Sequence, residues 1–573
     1  MVHDDGALAE KFEGETARVE TVPGPGGQPF PWVGFYTGAR VMSEDELWRA
    51  AARLLGMDRP AVAAAARQAL KPFVEPAGER ARALILHGAT PTTKGFEGDV
   101  HDLVNGRHVY DCATYLETRS VYLARPGDVC VGRTEPWAEA VAKARIDHLP
   151  IGRRDYYYLS QQLIVLALDR RSGIAGPLDG VVALVRAHPA VVIRLYALDS
   201  EMQVFLLWLM REAGLTSLNI DANGPEISDR WNQKAPLHPT VARALAMPRG
   251  SLRGTPDALL AEEATQSRLA LELAIAIPVL PGYTIERPQH DLSCFVEQTL
   301  AAARLFDERY RIGCGCLKPS EAGDGARIVG PLDLADPTAV AAAATDAFRH
   351  GDDYLLEPFV DYQRFRVGDR TFIVAPSSHI RYGQVARGLT LQMMKGVTWT
   401  GNIFFDKRAA AEFGVDPASV DVIEGAMAAL LAGFAGARTA SLGLVMAGVD
   451  FAIGRIGGLF GDRTIVAAQD LNLSSHGAEY LRSFLDHMRA DRGLTGEDGL
   501  DGATLVVLPS RQATITKLGH FAHALTRTGA EFRAIASVPG RWAMIACTAD
   551  TARQSAQGVL EFEEALRHAG YTL

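Results

Sequence analysis

Two apolar runs, Leu444–Ile453 and Thr464–Leu473, flank the glycine-rich stretch Arg455–Arg463. That pattern predicts a pair of neighbouring strands joined by a turn. Each run carries oxygen-bearing side chains where an ordinary strand would carry more Val or Ile. Asp450 closes the first run. Asp470 and Asn472 close the second, two residues apart and therefore on one face of the sheet. Strand-end Asp and Asn also serve ordinary Asx turns. A convergent set of Asp450, Asp470 and Asn472 suits Mg²⁺, which prefers carboxylate, amide, water and phosphate oxygens.

The same periodicity divides the rest of the chain. Residues 1–35 are rich in Gly and Pro and read as an extended arm. Ser43-Glu-Asp-Glu46 is a helix start, with an Ala-rich helical region running to about Leu70. From Ala81 short apolar runs alternate with helical segments. Val191–Tyr196, a helix over Glu201–Ala213 and Ser217–Asp221 show the pattern, which implies a mostly parallel sheet. After Thr255 come helices over Pro256–Ala274 and Ser293–Tyr310, then a strand ending in Lys318 and the loop Gly323-Asp-Gly325. A helix over Pro337–His350 leads into a strand ending at Glu357, and a hairpin turns around Gly368-Asp369. A long helix covers about Ser419–Ala435. Leu494–Gly502 reads as a linker, and 503–573 as a small independent β-α-β-β-α unit. The expected organisation is an N-terminal arm and helical extension (1–80), a Rossmann-like α/β domain (81–245), a larger mixed α+β domain (246–493, with a lid at about 311–375) and a C-terminal α/β domain (503–573).

Composition narrows the class. At 573 residues the chain exceeds a single core. Its 48% hydrophobic and 22% charged residues are ordinary for a globular protein, and the net charge of −10 argues against nucleic-acid binding. The six cysteines are scattered, with no C-x-x-C pair. No apolar run reaches a membrane span and the first residues lack a signal core, so the expectation is a cytoplasmic protein without a membrane partner.

Other residues carry candidate chemistry. Lys318 beside a glycine loop offers a charge and close backbone approach to phosphate, although no G-K-[ST] ends the loop; a plain hairpin is the alternative. The strand through Leu355-Leu-Glu-Pro-Phe-Val360 can offer edge groups and apolar faces to an adenine. Lys234 lies in a polar segment, where a surface lysine is the plain alternative.

In order, Leu317-Lys-Pro-Ser-Glu-Ala-Gly-Asp-Gly325, Leu356-Glu-Pro-Phe-Val360, Val449-Asp450 and Asp470-Leu-Asn-Leu-Ser-Ser-His-Gly477 resemble the motifs of the ATP-grasp superfamily of carboxylate–amine ligases over about residues 81–490. The resemblance implies an ATP-grasp fold behind a pre-ATP-grasp domain. It implies that Lys318, and less directly Lys234, contact ATP phosphates, and that Gly323 and Gly325 form a lid over them. Glu357, Phe359 and Val360 would line the adenine hinge, and Asp450, Asp470 and Asn472 would hold two Mg²⁺ ions. The family joins a small carboxylic acid or amino acid, activated as an acyl phosphate, to an amine or peptide. Many relatives carry Arg two residues before the first metal Asp; this chain has Gly448, so Arg381, Arg438 or Arg455 is expected to substitute. Ser474, Ser475 and His476 are candidates for the substrate acid, with helix capping the alternative for the serines. The long N-terminus and C-terminal unit are most similar to bacterial peptide ligases of the pheganomycin-ligase type, with a homo-oligomer possible. A non-catalytic ATP- or carboxylate-binding regulator and an ATP-grasp kinase or thiol ligase are the rival readings.

Overall fold

The computed structural model describes residues 21–23, 29–31, 39–74, 81–87, 120–134, 141–142, 145–246, 255–287, 291–321, 327–395, 398–436, 443–494, 502–508, 525–526, 530–538 and 542–569. Its class is mixed α/β, with a six-stranded parallel sheet and antiparallel sheets of which the largest has ten strands.

The first unit is built on six parallel strands: β1 (Leu70–Pro72), β2 (Ala83–Leu86), β3 (Val129–Gly132), β4 (Asp147–Pro150), β5 (Val192–Leu195) and β6 (Leu218–Asp221). They lie in the order β1-β6-β5-β2-β3-β4. β2, β3 and β5 are buried at every position, as strands covered by helices on both faces must be. The helices are α1 (Glu44–Leu55), α2 (Arg59–Ala69), α3 (Leu159–Arg171), α4 (Leu178–Ala187) and α5 (Ser200–Ala213). Ser43 and Glu46 form the expected capping box of α1, and Gly56 ends that helix in the left-handed region. α5 is buried from Glu201 to Leu209 because α1, α2, α3 and α4 all pack against it. The expected boundary at residue 80 does not hold. β1 pairs with β6 from Leu70↔Leu218 to Pro72↔Ile220, so α1, α2 and β1 belong to this sheet. A three-residue strand is too short to show a period of two.

The second unit is a four-stranded antiparallel sheet, β7 (Tyr283–Ile285), β8 (Cys314–Pro319), β9 (Val329–Asp333) and β10 (Tyr354–Pro358), in the order β9-β8-β10-β7. Helices α6 (Leu292–Tyr310) and α7 (Pro337–Phe348) cover it, burying Phe295, Phe306, Val340 and Ala344 against Tyr283, Leu317 and Leu356. The lid expected at 311–375 thus begins earlier, since β7 hydrogen-bonds β10, and ends sooner, since Asp361 already pairs with the next sheet.

That sheet has ten strands. Its main path is β11 (Asp361–Tyr362), β16 (Ala447–Arg455), β12 (Pro376–Arg381), β14 (Leu389–Lys395), β15 (Thr398–Phe405), β18 (Gly502–Leu508), β20 (Trp542–Ala549) and β19 (Ala530–Val538). β13 (Gln384–Val385) pairs with β12, and β17 (Ile465–Asn472) with β16. Helix α8 (Pro417–Gly436) buries Val420, Ile423, Met427, Leu430 and Phe434 in the core of this sheet. It is also long and apolar enough to cross a membrane, contrary to the expectation that no segment would be; the core-facing residues account for much of that hydropathy. In its described residues the expected C-terminal unit, 503–573, is not independent. β18 pairs with β15 from Gly401↔Val506 to Phe404↔Ala503, and α10 (Ala552–His568) sends Ala552, Ala556 and Leu560 into the same core.

Asn223, just past β6, holds the first unit against the large sheet. Its Nδ2 donates to the carbonyls of Met446 and Leu473 at 2.7 Å each, and its Oδ1 accepts from the Val445 and Met446 amides at 2.9 and 3.2 Å. The carboxyl ends of the parallel strands are thereby set beside the start of β16 and the end of β17.

Candidate active site

β16 and β17 are antiparallel neighbours, as their pattern predicts. Asp450 lies directly opposite Asp470, and Gly448 opposite Asn472. Asp450 sits in the middle of β16 rather than at its end. The register shifts at this point because Gln469 is an extra residue on β17, a bulge that re-aims the side chains around it. Ser377 of β12 donates to Asp450, and Gln392 of β14 donates to Ser377 at 3.3 Å. Lys234 Nζ stands 3.1 Å from Asp470 Oδ2. Burial, and then the charge of Asp470, push the Asp450 carboxyl up to about 6. Two facing carboxylates served by one lysine form a site short of positive charge. That arrangement fits a divalent cation, with Asn472 adding an amide oxygen one row along. Among the described residues no group of three His, Cys, Asp or Glu gathers, so any cation here relies on this two-carboxylate set.

A second charged cluster lies where β8 meets β10. Lys318 Nζ is 2.6 Å from Glu357 Oε2, and His238 Nε2 is 2.7 Å from Glu357 Oε1. Burial opposes ionisation of Glu357, but Lys318 and His238 more than offset it and hold the carboxyl down at about 2. Burial likewise works against the Lys318 ammonium, and Glu357 overrides it, raising its pKa. Gly282 makes room for the imidazole: a Cβ there would come within 2.5 Å of the His238 ring. Glu357 is fully buried, so its side chain is a counter-ion within the fold and not a surface for adenine. Of its neighbours on the expected hinge, Phe359 is 41% exposed and Val360 is buried. The clusters are joined. The Lys234 amide donates to Ser320 O at 3.0 Å, just past β8, and Tyr362 donates to Gln469 at 2.6 Å.

Beyond Asn472 the chain reaches the cleft between the units. A Cβ at Gly448 would stand 3.0 Å from the His476 ring and 3.3 Å from that of His379. These imidazoles stack at 4.1 Å and 11°. The space beside Gly448 is filled by these two rings. His379 Nδ1 accepts from Arg482 at 2.7 Å, and burial with the nearby His476 and arginine charges drives its pKa well below 6.5. Ser475 donates to Glu479 of α9 (Glu479–Asp491), and neither Ser474 nor Ser475 caps that helix. Arg381 reaches this cleft too, held by Asp486 at 2.8 Å. Arg455 does not. It ends β16 on the far side, 56% exposed and 3.8 Å from the fully exposed Asp462. Five residues of strand, roughly 16 Å, separate it from Asp450. Gly323, Gly325 and Arg438 lie outside the described residues.

Sequence reasoning missed His238, Ser377, Gln392 and the cleft residues Arg194, Asp221 and Glu479. Only Asp221 carried a signal, as a carboxylate ending a strand of a parallel sheet, where such folds bind ligands.

No family model matches the chain, and no curated protein matches it. Among solved structures, it is similar to the N5-carboxyaminoimidazole synthase of Aspergillus clavatus bound to ADP and 5-aminoimidazole ribonucleotide, at 10% identity over 85% of this chain and 99% of that one, TM-score 0.41. The biotin carboxylase domain of Hydrogenobacter thermophilus 2-oxoglutarate carboxylase is similar at 12% identity, 82% and 87% coverage and TM-score 0.41. The D-alanine-D-alanine ligase of Coxiella burnetii follows at 12% identity, 52% and 63% coverage and TM-score 0.27. These are distant likenesses.

Proposed function

We propose that the chain is an ATP-dependent carboxylate–amine ligase of the ATP-grasp kind. The observation that carries this reading is the facing pair Asp450 and Asp470 on neighbouring strands, with Lys234 on one carboxylate. Lys318 stands on the adjoining sheet, kept charged by Glu357. A carboxylate attacking a triphosphate is an anion approaching an anion, and such a reaction depends on charge neutralisation and positioning.

Asp450, Asp470 and Asn472 would hold Mg²⁺. A bound magnesium nucleotide would supply the phosphoryl group and screen its charge. The chain's own residues do the rest. Ser377 and Gln392 orient Asp450, and Lys234 spans Asp470 and the end of β8. Glu357 and His238 fix the height of Lys318. In the proposed reaction the acid's carboxylate oxygen bonds to the γ-phosphorus as ADP leaves. The amine nitrogen then bonds to the acyl carbon, phosphate departs and the nitrogen loses a proton. Amino acids and peptides are the proposed substrate pool, since the cleft beside these strands presents charges of both signs.

Mass spectrometry after incubation with ATP, Mg²⁺ and pooled amino acids and peptides tests the reading. ADP together with a new amide is expected. A phosphoester, a thioester or nucleotide binding without turnover would replace it by a kinase, a thiol ligase or a regulator.

A further inference from the structure

The cleft at the carboxyl ends of the parallel strands contains an ion pair that is only half satisfied. Arg194, the third residue of β5, has a side chain 5% exposed; Asp221, the last of β6, has one 2% exposed. Arg194 Nε donates to Asp221 Oδ2 at 2.6 Å. Arg194 Nη1 is ion-paired with Asp128 at 3.8 Å, too far for a hydrogen bond, and has no hydrogen-bond partner among the described residues. Asp221 Oδ1 has none either. Both residues line the cleft. Buried polar groups are as a rule hydrogen-bonded, and a charged donor and a charged acceptor of one ion pair that both lack a hydrogen bond ask for a ligand with the complementary pair.

Resting on the ligase reading above, we propose that this cleft recognises a free α-amino acid by both of its charges, the carboxylate at Arg194 and the ammonium at Asp221. The two open atoms belong to one ion pair, so the ligand's charges must also lie within a few bonds of each other. The walls agree in sign. Arg381 adds a cation, and Glu479 of α9, bonded by Ser475, adds a carboxylate. A phosphate would meet Asp221 and Glu479 unfavourably, and a simple amine would leave the arginine unanswered. Tyr382 stiffens the cationic side. Its ring lies 4.5 Å from the Arg194 guanidinium and 5.1 Å from that of Arg381, on a backbone held at φ +54°. Asn223, two residues after Asp221, ties this corner to the ends of the Asp450 and Asp470 strands.

Saturation-transfer NMR on the full chain tests the inference, with and without a non-hydrolysable ATP analogue. The probes are pooled free α-amino acids and the same compounds N-acetylated or α-amidated. Free amino acids should bind, with both derivatives at least about tenfold weaker, since each forfeits one charge-assisted bond. Asp221→Asn should lose a similar factor for the free amino acid while still binding the ATP analogue, which shows that the variant folds. N-acetyl or amide forms binding as tightly as free amino acids would overturn the inference. So would no amino-acid binding in a chain that binds and turns over magnesium ATP, an outcome that leaves the ligase reading intact. Amino-acid binding without any nucleotide binding would do the reverse.

Discussion

Replacing Lys318 by Met should unsettle the β8–β10 sheet in a way that depends on pH. Glu357 is fully buried and held from 4.5 down to about 2, mainly by Lys318. At about 1.4 kcal/mol for each tenfold change in proton affinity, the depressed carboxyl contributes on the order of 3 kcal/mol at neutral pH. Because its folded pKa is below its unfolded one, that stability is present above about 4.5 and is lost as pH falls towards 2. Removing the lysine leaves a buried carboxylate with His238 alone, which costs about 3–5 kcal/mol. The sign then reverses: with its folded pKa raised, the Glu357 of the variant destabilises most at neutral pH and least at pH 5. Hydrogen exchange of the amides in 314–319 and 354–358 reads the local opening free energy without requiring the whole chain to melt as one. The single variant should open far more readily at pH 7.5 than at pH 5. Lys318→Met combined with Glu357→Met should recover most of the loss. Unchanged protection in the single variant, or no recovery in the double, would refute the assignment of Lys318 as the counter-ion that keeps Glu357 charged.

Asp450→Asn should raise stability at pH 7 by about 1–3 kcal/mol, since the native carboxyl is pushed up to about 6 and is costly when ionised, while ligation falls by orders of magnitude; calorimetry and a product assay read the two effects. Gly448→Ala places a methyl 3.0 Å from the His476 ring and should cost about 1–3 kcal/mol and lower turnover, measured by thermal melting and by kcat. Arg455→Ala should leave kcat/KM within about twofold, because this exposed side chain stands at the far end of β16; a large loss would return it to the site.

Much of the fold could be read from periodicity because its elements bury apolar runs. β2 is a continuous apolar stretch, α1 opens on a full capping box, and β16 and β17 flank a glycine turn. The boundaries were less legible. β1 is three residues long, and β18 joins β15 through hydrogen bonds that leave no mark on hydropathy. The facing of Asp450 and Asp470 followed from adjacent strands, but the mid-strand position of Asp450 and the bulge at Gln469 did not. His238 reaches Glu357 across 119 residues, and Arg194 reaches Asp221 through strand order alone, so both contacts are products of topology. Arg455 shows the converse: five residues from Asp450 in sequence, it is carried by the extended strand to the opposite end.

The account's central claim is that the acid passes through an acyl phosphate at the Asp450–Asp470 strands. Carboxyl-¹⁸O-labelled amino acids, incubated with ATP, Mg²⁺ and acceptor peptides, test it directly by mass spectrometry of the released phosphate. One ¹⁸O atom in inorganic phosphate, with ADP, is the predicted result, and it should vanish in Asp470→Asn. Unlabelled phosphate beside a formed amide, or release of AMP, would contradict it.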